Sequence, residues 1–269
     1  MWAKLKKLLR YYGMGFVLDL KSNIAYPTTF WFAVTTIPLW AFIQILLIET
    51  IYGLTDSFLG YTKFENYVLF GTFKIVQSLA SLFFFVRLED LADKIRGRSD
   101  WSLDTMLLKP IDSQVFATTG KYWFGSISSF LAGLGMVWYG LVQETHVIGV
   151  GQVLGYGYMV VLGVFFLYLL FLFIQTWLFW LEYLQIGEAL WFTTHAFGQY
   201  PRQMYKGYGN IFFNIVFPIT LMASVPVEYL FGKIGAGTLA LYTLIIVILF
   251  WLTRMFWQYS IKKYSSFSS

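Results

Sequence analysis

The chain has 269 residues, of which 58% are hydrophobic and only 12% are charged. Soluble domains carry about 25% charged residues, so this composition excludes an ordinary water-soluble domain and predicts an all-α polytopic membrane protein. Cysteine is absent, which excludes disulfides and cysteine-ligated metals. The net charge of +5 is spread in a way that indicates membrane orientation, so no nucleic-acid partner is expected.

Residues 1–21 are predicted to form an amphipathic helix that lies on membrane lipid. Leu5 and Leu9 belong to a set of apolar residues at helical spacing, while Lys6 and Arg10 lie on the opposite face. Such a helix binds in the headgroup layer with its bases towards anionic lipid. The alternative is a basic tail without stable structure.

Long apolar runs predict six membrane spans, at about 27–50, 66–86, 122–142, 153–180, 208–225 and 237–257. The segment 87–121 is the longest polar stretch and joins the second and third spans. The segment 226–236 is too short to cross a membrane and too apolar for a free loop, so it is predicted to be re-entrant on the outer side.

The positive-inside rule orients these spans. Sixteen of the nineteen basic residues, Arg202 among them, are predicted on the side of the two termini, and two are predicted on the other side. Both termini are therefore expected in the cytoplasm. We expect a multi-pass protein of the cell (inner) membrane of a prokaryote.

A few polar or helix-breaking residues interrupt the apolar runs. A lysine near the bilayer centre costs ~2.5 kcal/mol or more, and such residues usually face a cavity or a partner. The alternative for Lys74 is snorkelling to the outer headgroups. Proline-broken hydrophobic segments tend to mark translocation sites, because they expose backbone polar groups to a cavity. The predicted translocation path contains Lys74, Gln77, Asn214, Pro218 and Pro226.

The chain shows no motif for chemistry of its own. It has no G-x-x-x-x-G-K-[ST] phosphate loop, no H-E-x-x-H and no G-x-S-x-G. No carboxylate is predicted within the membrane, which argues against proton-coupled transport. Catalytic residues, a metal site and a bound cofactor are therefore not expected. Work on a substrate requires energy from elsewhere, and ATP hydrolysed by another subunit is the simplest source.

The polar segment 87–121 has helix, break, short helix and break signals. Its first part prolongs the second span, and Gly97 is a natural helix stop. Ser99 or Asp100 can cap a new short amphipathic helix, and Pro110 ends it.

Two stretches then suggest a family. The runs LEDLADKIRG (88–97) and LDTMLLKPI (103–111) resemble the first cytoplasmic loop of type-2 ATP-binding-cassette (ABC) export permeases, with its I-R-x-G … L-D … L-L-x-K/R-P pattern. The run YPRQMY (200–205), with Phe217-Pro218 and Val225-Pro226, is similar to a second pattern of these permeases. The join 97–102 is longer and more polar than in the usual pattern.

The resemblance implies a six-helix subunit that pairs with a second permease copy or a sister permease. It also implies two cytoplasmic ABC ATPase subunits, which bind ATP and Mg. The short helix after Gly97 would be the coupling helix that docks on the ATPase; the alternative is a solvated loop that only orients the protein. This interface would comprise Arg96, Gly97, Asp100, Trp101, Leu103, Asp104, Met106, Leu107, Lys109 and Pro110.

The expected function is export of an amphipathic or hydrophobic substrate, driven by the partner ATPase. The second hypothesis is a self-sufficient channel or facilitator, in which Lys74 and Gln77 line a pore. A lipid-modifying membrane enzyme is a weaker third hypothesis, because no catalytic constellation is visible.

Overall fold

The computed structural model describes residues 13–22, 27–95, 107–109, 112–144, 147–181 and 186–263. Over these ranges the chain is helical, and its β-structure is confined to one isolated bridge between Phe58 and Tyr61. The prediction of an all-α polytopic membrane protein is confirmed.

Among the described residues, six helices lie in the first half of the chain: α1 (13–22), α2 (Pro27–Tyr52), α3 (Lys63–Ala80), α4 (Val86–Ile95), α5 (Ser113–Thr118) and α6 (Ile127–Gln143). Five of the described helices lie in the second half: α7 (Val150–Thr176), α8 (Ile186–Gly198), α9 (Tyr208–Ile211), α10 (Ser224–Leu230) and α11 (Gly237–Lys263). A π-helical turn at Ser81–Phe85 joins α3 to α4 without a break.

Within the described residues, four helical stretches are long and apolar enough to cross a membrane. They are Lys63–Ile95, Phe124–Gln143, Val150–Phe179 and Gly237–Lys263. Each coincides with a predicted span. The first predicted span corresponds to α2, one continuous apolar helix of 26 residues.

Close packing of α3 against α6 forms the centre of the first half. A Cβ added at Gly71 would lie 2.7 Å from the Gly133 O, and one added at Gly140 would lie 2.6 Å from the Phe64 O. These distances are below any normal contact, so only glycine permits the two backbones to approach this closely. Small residues at helix crossings are typical of membrane bundles, where packing replaces the hydrophobic effect as the force that joins helices.

The bundle has two polar ends, separated by about 50 Å along the 33 residues of Lys63–Ile95. The Tyr61 end carries the 53–62 loop that joins α2 to α3. The Asp112 end carries the start of α5, where Arg254 of α11 pairs with Asp112. Near it, Asp90 of α4 pairs with Lys121.

The segment 208–225, predicted as the fifth span, is not one continuous helix. It consists of α9, a π-helical turn at Phe212–Val216, a short 3₁₀ turn at Ile219–Met222 and the start of α10. Pro218 has no N–H to continue a helix. The side chain of Asn214 accepts a hydrogen bond from Thr220 Oγ1 at 2.8 Å, which ties the two arms of the resulting turn together.

With the rest of α10, this segment forms one hairpin, 208–230, that leaves the Tyr61 end and returns to it. Arg202, before the hairpin, lies 2.7 Å from Glu228 near the hairpin's end. In between, the rings of Phe217 and Phe166 pack 5.9 Å apart. Phe166 is about 24 Å along α7 from Val150, so the hairpin descends well into the bundle. The re-entrant segment predicted at 226–236 is thus the last part of a longer excursion.

The assignment of Arg202 to the side of the termini is therefore wrong. Arg202 contacts Glu228, and Glu228 accepts a hydrogen bond from the Tyr61 hydroxyl at 2.9 Å. Both belong to the Tyr61 end, whereas Phe179, in the 3₁₀ turn that follows α7, packs against Trp257 at the other end. The stretch that connects the Asp112 end to the Tyr61 end is therefore α8 with the residues that follow it, up to Arg202.

Candidate functional site

A cavity of about 200 Å³ lies among α2, α3, α8 and the start of α6. Its walls combine polar side chains with tryptophan rings. The lining residues are Trp40, Lys74, Gln77, Ser78, Ser81, Trp123, Ser126, Ser129, Trp191 and His195. Helix α3 contributes Lys74, Gln77 and Ser78, and the π-helical turn that follows it contributes Ser81. Successive positions are three, one and three residues apart, so these side chains form a polar stripe on one side of the helix.

Lys74 is the cavity's most unusual residue. Only 6% of it is exposed, and its ammonium has neither a hydrogen bond nor an ion pair with any described residue. It is eleven residues beyond Lys63, or about 16 Å along α3, which is farther than a lysine side chain reaches. Snorkelling to the Tyr61 end therefore does not account for Lys74.

The remaining polar groups are held in place. Gln77 Nε2 lies 2.6 Å from His195 Nδ1, which also lies 3.0 Å from the Trp191 O. The hydroxyls of Ser78 and Ser81 donate to carbonyls of their own helix at 3.0 and 2.9 Å. Because each hydroxyl has one proton, these serines have only lone pairs left to offer to a bound molecule.

The predicted translocation residues divide into two groups. Lys74 and Gln77 line the cavity together. Asn214, Pro218 and Pro226 lie in the 208–230 hairpin and are not among the lining residues. Asn214 is engaged with Asn210 and Thr220, so it supports the hairpin.

Sequence reasoning missed most of the cavity. Ser78 and Ser81 could have been predicted, because they lie on the same helix face as Lys74 and Gln77. Trp191 and His195 gave no local signal, since they reach the cavity only through the path of α8.

A second polar cluster lies at the Tyr61 end, around the fully buried carboxylate of Glu228. Its Oε1 accepts hydrogen bonds from the Tyr61 hydroxyl at 2.9 Å and from Gln203 Nε2 at 2.7 Å. Arg202 Nε is 2.7 Å from Oε2, an ion pair whose N–H is not aligned as a hydrogen bond. Burial next to the Glu228 charge raises the pKa of the Tyr61 hydroxyl, so this group stays a proton donor. The cluster ties the 53–62 loop to both ends of the hairpin.

A family model described as "ABC-2 family transporter protein" matches residues 38–268. The chain belongs to the ABC-2 transporter family. The match includes the cavity, the 87–121 segment and the 208–230 hairpin. Comparisons with curated proteins and with solved structures returned no match. The family resemblance seen in the loop motifs is thereby confirmed, and the chain is an ABC-2 membrane transporter protein.

Of the predicted coupling interface, two residues are described. Leu107 is 37% exposed, and its neighbour Leu108 is 85% exposed. The Lys109 ammonium lies 4.4 Å from the centre of the Phe116 ring in α5, so it is held against the permease itself. The others lie outside the described residues: Arg96, Gly97, Asp100, Trp101, Leu103, Asp104, Met106 and Pro110.

The residues that follow the predicted coupling interface are held in place at the Asp112 end. Asp112 caps α5, with Oδ1 accepting from the Gln114 and Val115 N–H groups at 3.1 and 3.2 Å. Arg254 donates through both terminal nitrogens to the two oxygens of the same carboxylate. Its hydrogen bonds hold the pKa of Asp112 below the usual range. In this ABC-2 protein, a fixed scaffold therefore adjoins the exposed Leu107 and Leu108.

Proposed function

We propose that the chain is the membrane-spanning permease subunit of an ATP-driven exporter. ATP and Mg are bound, and ATP is hydrolysed, by a separate cytoplasmic ABC ATPase subunit. The observation that carries the proposal is the ABC-2 family match across 38–268, which spans nearly all of the helical bundle. In this arrangement the Asp112 end faces the cytoplasm of the cell, together with both termini.

The ATPase would dock on the 87–121 segment. Large apolar side chains that stay exposed beside charged residues are typical anchors of protein interfaces. Leu107 and Leu108 have this property, and Trp101 lies in the same predicted helix. The bidentate Arg254–Asp112 pair holds the following helix to α11, so a push on the segment would be passed to the last long helix.

The cavity is proposed as part of the translocation path. Trp40, at its edge, is 63% exposed, so the wall is incomplete on the α2 side. A second permease copy or a sister permease packed against this side would close the cavity into a path. An amphipathic substrate suits a wall that combines three tryptophan rings with seven polar side chains.

Affinity purification in a mild detergent, from the cells that make the protein, tests the ATPase partnership. The wild-type chain should recover an ATPase subunit that carries a phosphate-binding loop. The double variant Trp101→Ala with Leu107→Ala should lose it, while Val147→Ala, which changes a 96% exposed residue between α6 and α7, should keep it. Wild-type protein that is intact and dimeric, yet never recovers an ATPase, would contradict the proposal.

The second candidate function is a channel or facilitator that works without an ATPase. The adjacent positions of Lys74 and Gln77 on the cavity wall favour it. Liposomes that contain only this chain, compared with liposomes that also contain the ATPase, distinguish the two functions. Substrate flux in the absence of ATP supports a facilitator, and flux that requires the ATPase and ATP supports the exporter.

A further inference from the structure

We propose that the cavity binds the anionic, hydroxyl-bearing head of an amphipathic molecule, with the Lys74 ammonium as its counter-charge. The inference rests on the proposed transport function and gives the class of substrate. It places the charged head among α2, α3 and α8, and the apolar body along the exposed α2 side.

The proposal starts from the Lys74 ammonium, which is buried without a partner among the described residues. A charge removed from water is retained only where something pairs with it, because its desolvation costs several kcal/mol. Lys74 is 94% buried and has no partner among the described residues, yet it borders an open space of about 200 Å³. That volume corresponds to about seven waters, which is large enough for a phosphate or carboxylate group with its neighbouring hydroxyls.

The lining residues indicate that the bound head group carries a negative charge. None of the ten described residues that line the cavity is Asp or Glu. A cationic ligand would therefore meet Lys74 without a compensating acid, whereas an anion forms a charge-assisted hydrogen bond.

The other lining residues indicate which groups the ligand carries besides its charged head. Ser78 and Ser81 have spent their protons on backbone carbonyls, so they accept hydrogen bonds from hydroxyls of a ligand. Trp40, Trp123 and Trp191 supply flat apolar surfaces. Because Trp40 is 63% exposed, an apolar tail can leave the cavity on that side.

Binding to the purified full-length chain in a neutral detergent tests this inference. The probes are dihexanoyl phosphatidylglycerol, an anionic lipid head with hydroxyls, dihexanoyl phosphatidylcholine, its zwitterionic counterpart, and inorganic phosphate. The phosphatidylglycerol probe should bind most tightly. Lys74→Met should weaken its binding by ~10-fold or more, the effect of losing a hydrogen bond to a charged group.

Two control variants accompany this substitution. Lys74→Arg keeps the charge and should retain binding. Lys63→Met removes a lysine from the same helix but outside the cavity, where it pairs with Glu49, and should leave binding unchanged. Lys74→Met removes an unpaired buried charge, so its thermal midpoint should not fall, and folded protein is available for the measurement.

Three results would overturn the inference. Equal binding of phosphatidylglycerol to wild type and Lys74→Met would show that Lys74 is not the counter-charge. Equal binding of the choline and glycerol lipids would remove the requirement for an anion. Inorganic phosphate that binds as tightly as the lipid would replace an amphipathic substrate with a free anion.

The binding measurement needs no ATPase, so it fails separately from the proposed function. If Lys74→Met still recovers an ATPase but binds the lipid like wild type, only the assignment of the cavity is wrong. If the lipid binds as expected but no ATPase is ever recovered, only the exporter is wrong.

Discussion

Replacing Gly71 or Gly133 by alanine is expected to force α3 and α6 apart. A Cβ at Gly133 would lie 2.8 Å from the Gly71 O and 3.0 Å from the Lys74 Cβ. Backbone atoms and the root of a side chain cannot swing aside, so one helix must shift. Overpacking of this kind costs ~1–3 kcal/mol. The movement also displaces Lys74, so the substitution should weaken binding of the phosphatidylglycerol probe.

Gly135 provides the matched control, since it is on the same helix and a Cβ there meets nothing within 4 Å. Alanine at Gly135 should be neutral or gain up to ~1 kcal/mol from helix propensity alone. Unfolding of detergent-solubilised protein, followed by circular dichroism, compares the two variants. Gly133→Ala should be less stable than Gly135→Ala by ~1–3 kcal/mol, the steric cost. Equal stability of these two variants would refute the close contact of α3 and α6.

Two further substitutions probe the ends of the bundle. Glu228→Gln removes the partner charge of Arg202 and should lower the free energy of unfolding by ~1.5–3 kcal/mol, with an unchanged value as the contrary result. Asp112→Asn keeps a capping oxygen but loses the charge pair with Arg254, which costs about 1 kcal/mol or less at this exposed site. Because the folded pKa of Asp112 is lowered, the advantage of wild type should be complete above the unfolded pKa of about 3.9 and vanish as the pH falls through the folded pKa. An advantage that persists below both values would contradict the charge pairing.

The long helices were predictable because an apolar run of some twenty residues has few structural solutions in a membrane. The hairpin was not, since its apolar sequence is what a crossing helix also requires. For 186–198 the apolar runs predict no membrane span, yet part of α8 packs inside the bundle. Thr194 is fully buried there and His195 lines the cavity, so the polar residues that serve the site lower the hydropathy of a buried helix.

The site shows the same division between local and distant information. Lys74 and Gln77 were recognisable because charge and amide groups are costly within a span, and their spacing of three puts them on one face. Their partners come from elsewhere in the chain. His195 is 118 residues from Gln77 and meets it only after α8 has folded back along α3. No pattern within α3 or α8 encodes that encounter.

ATP-dependent transport tests the exporter most directly. A fluorescent short-chain phosphatidylglycerol is added outside inside-out membrane vesicles from cells that contain the partner ATPase. Its uptake is measured with and without ATP. Uptake by wild type should require ATP, and uptake by Trp101→Ala with Leu107→Ala should fall to the level measured without ATP. Uptake that is equal with and without ATP, and unaffected by that double variant, would contradict an ATPase-driven permease.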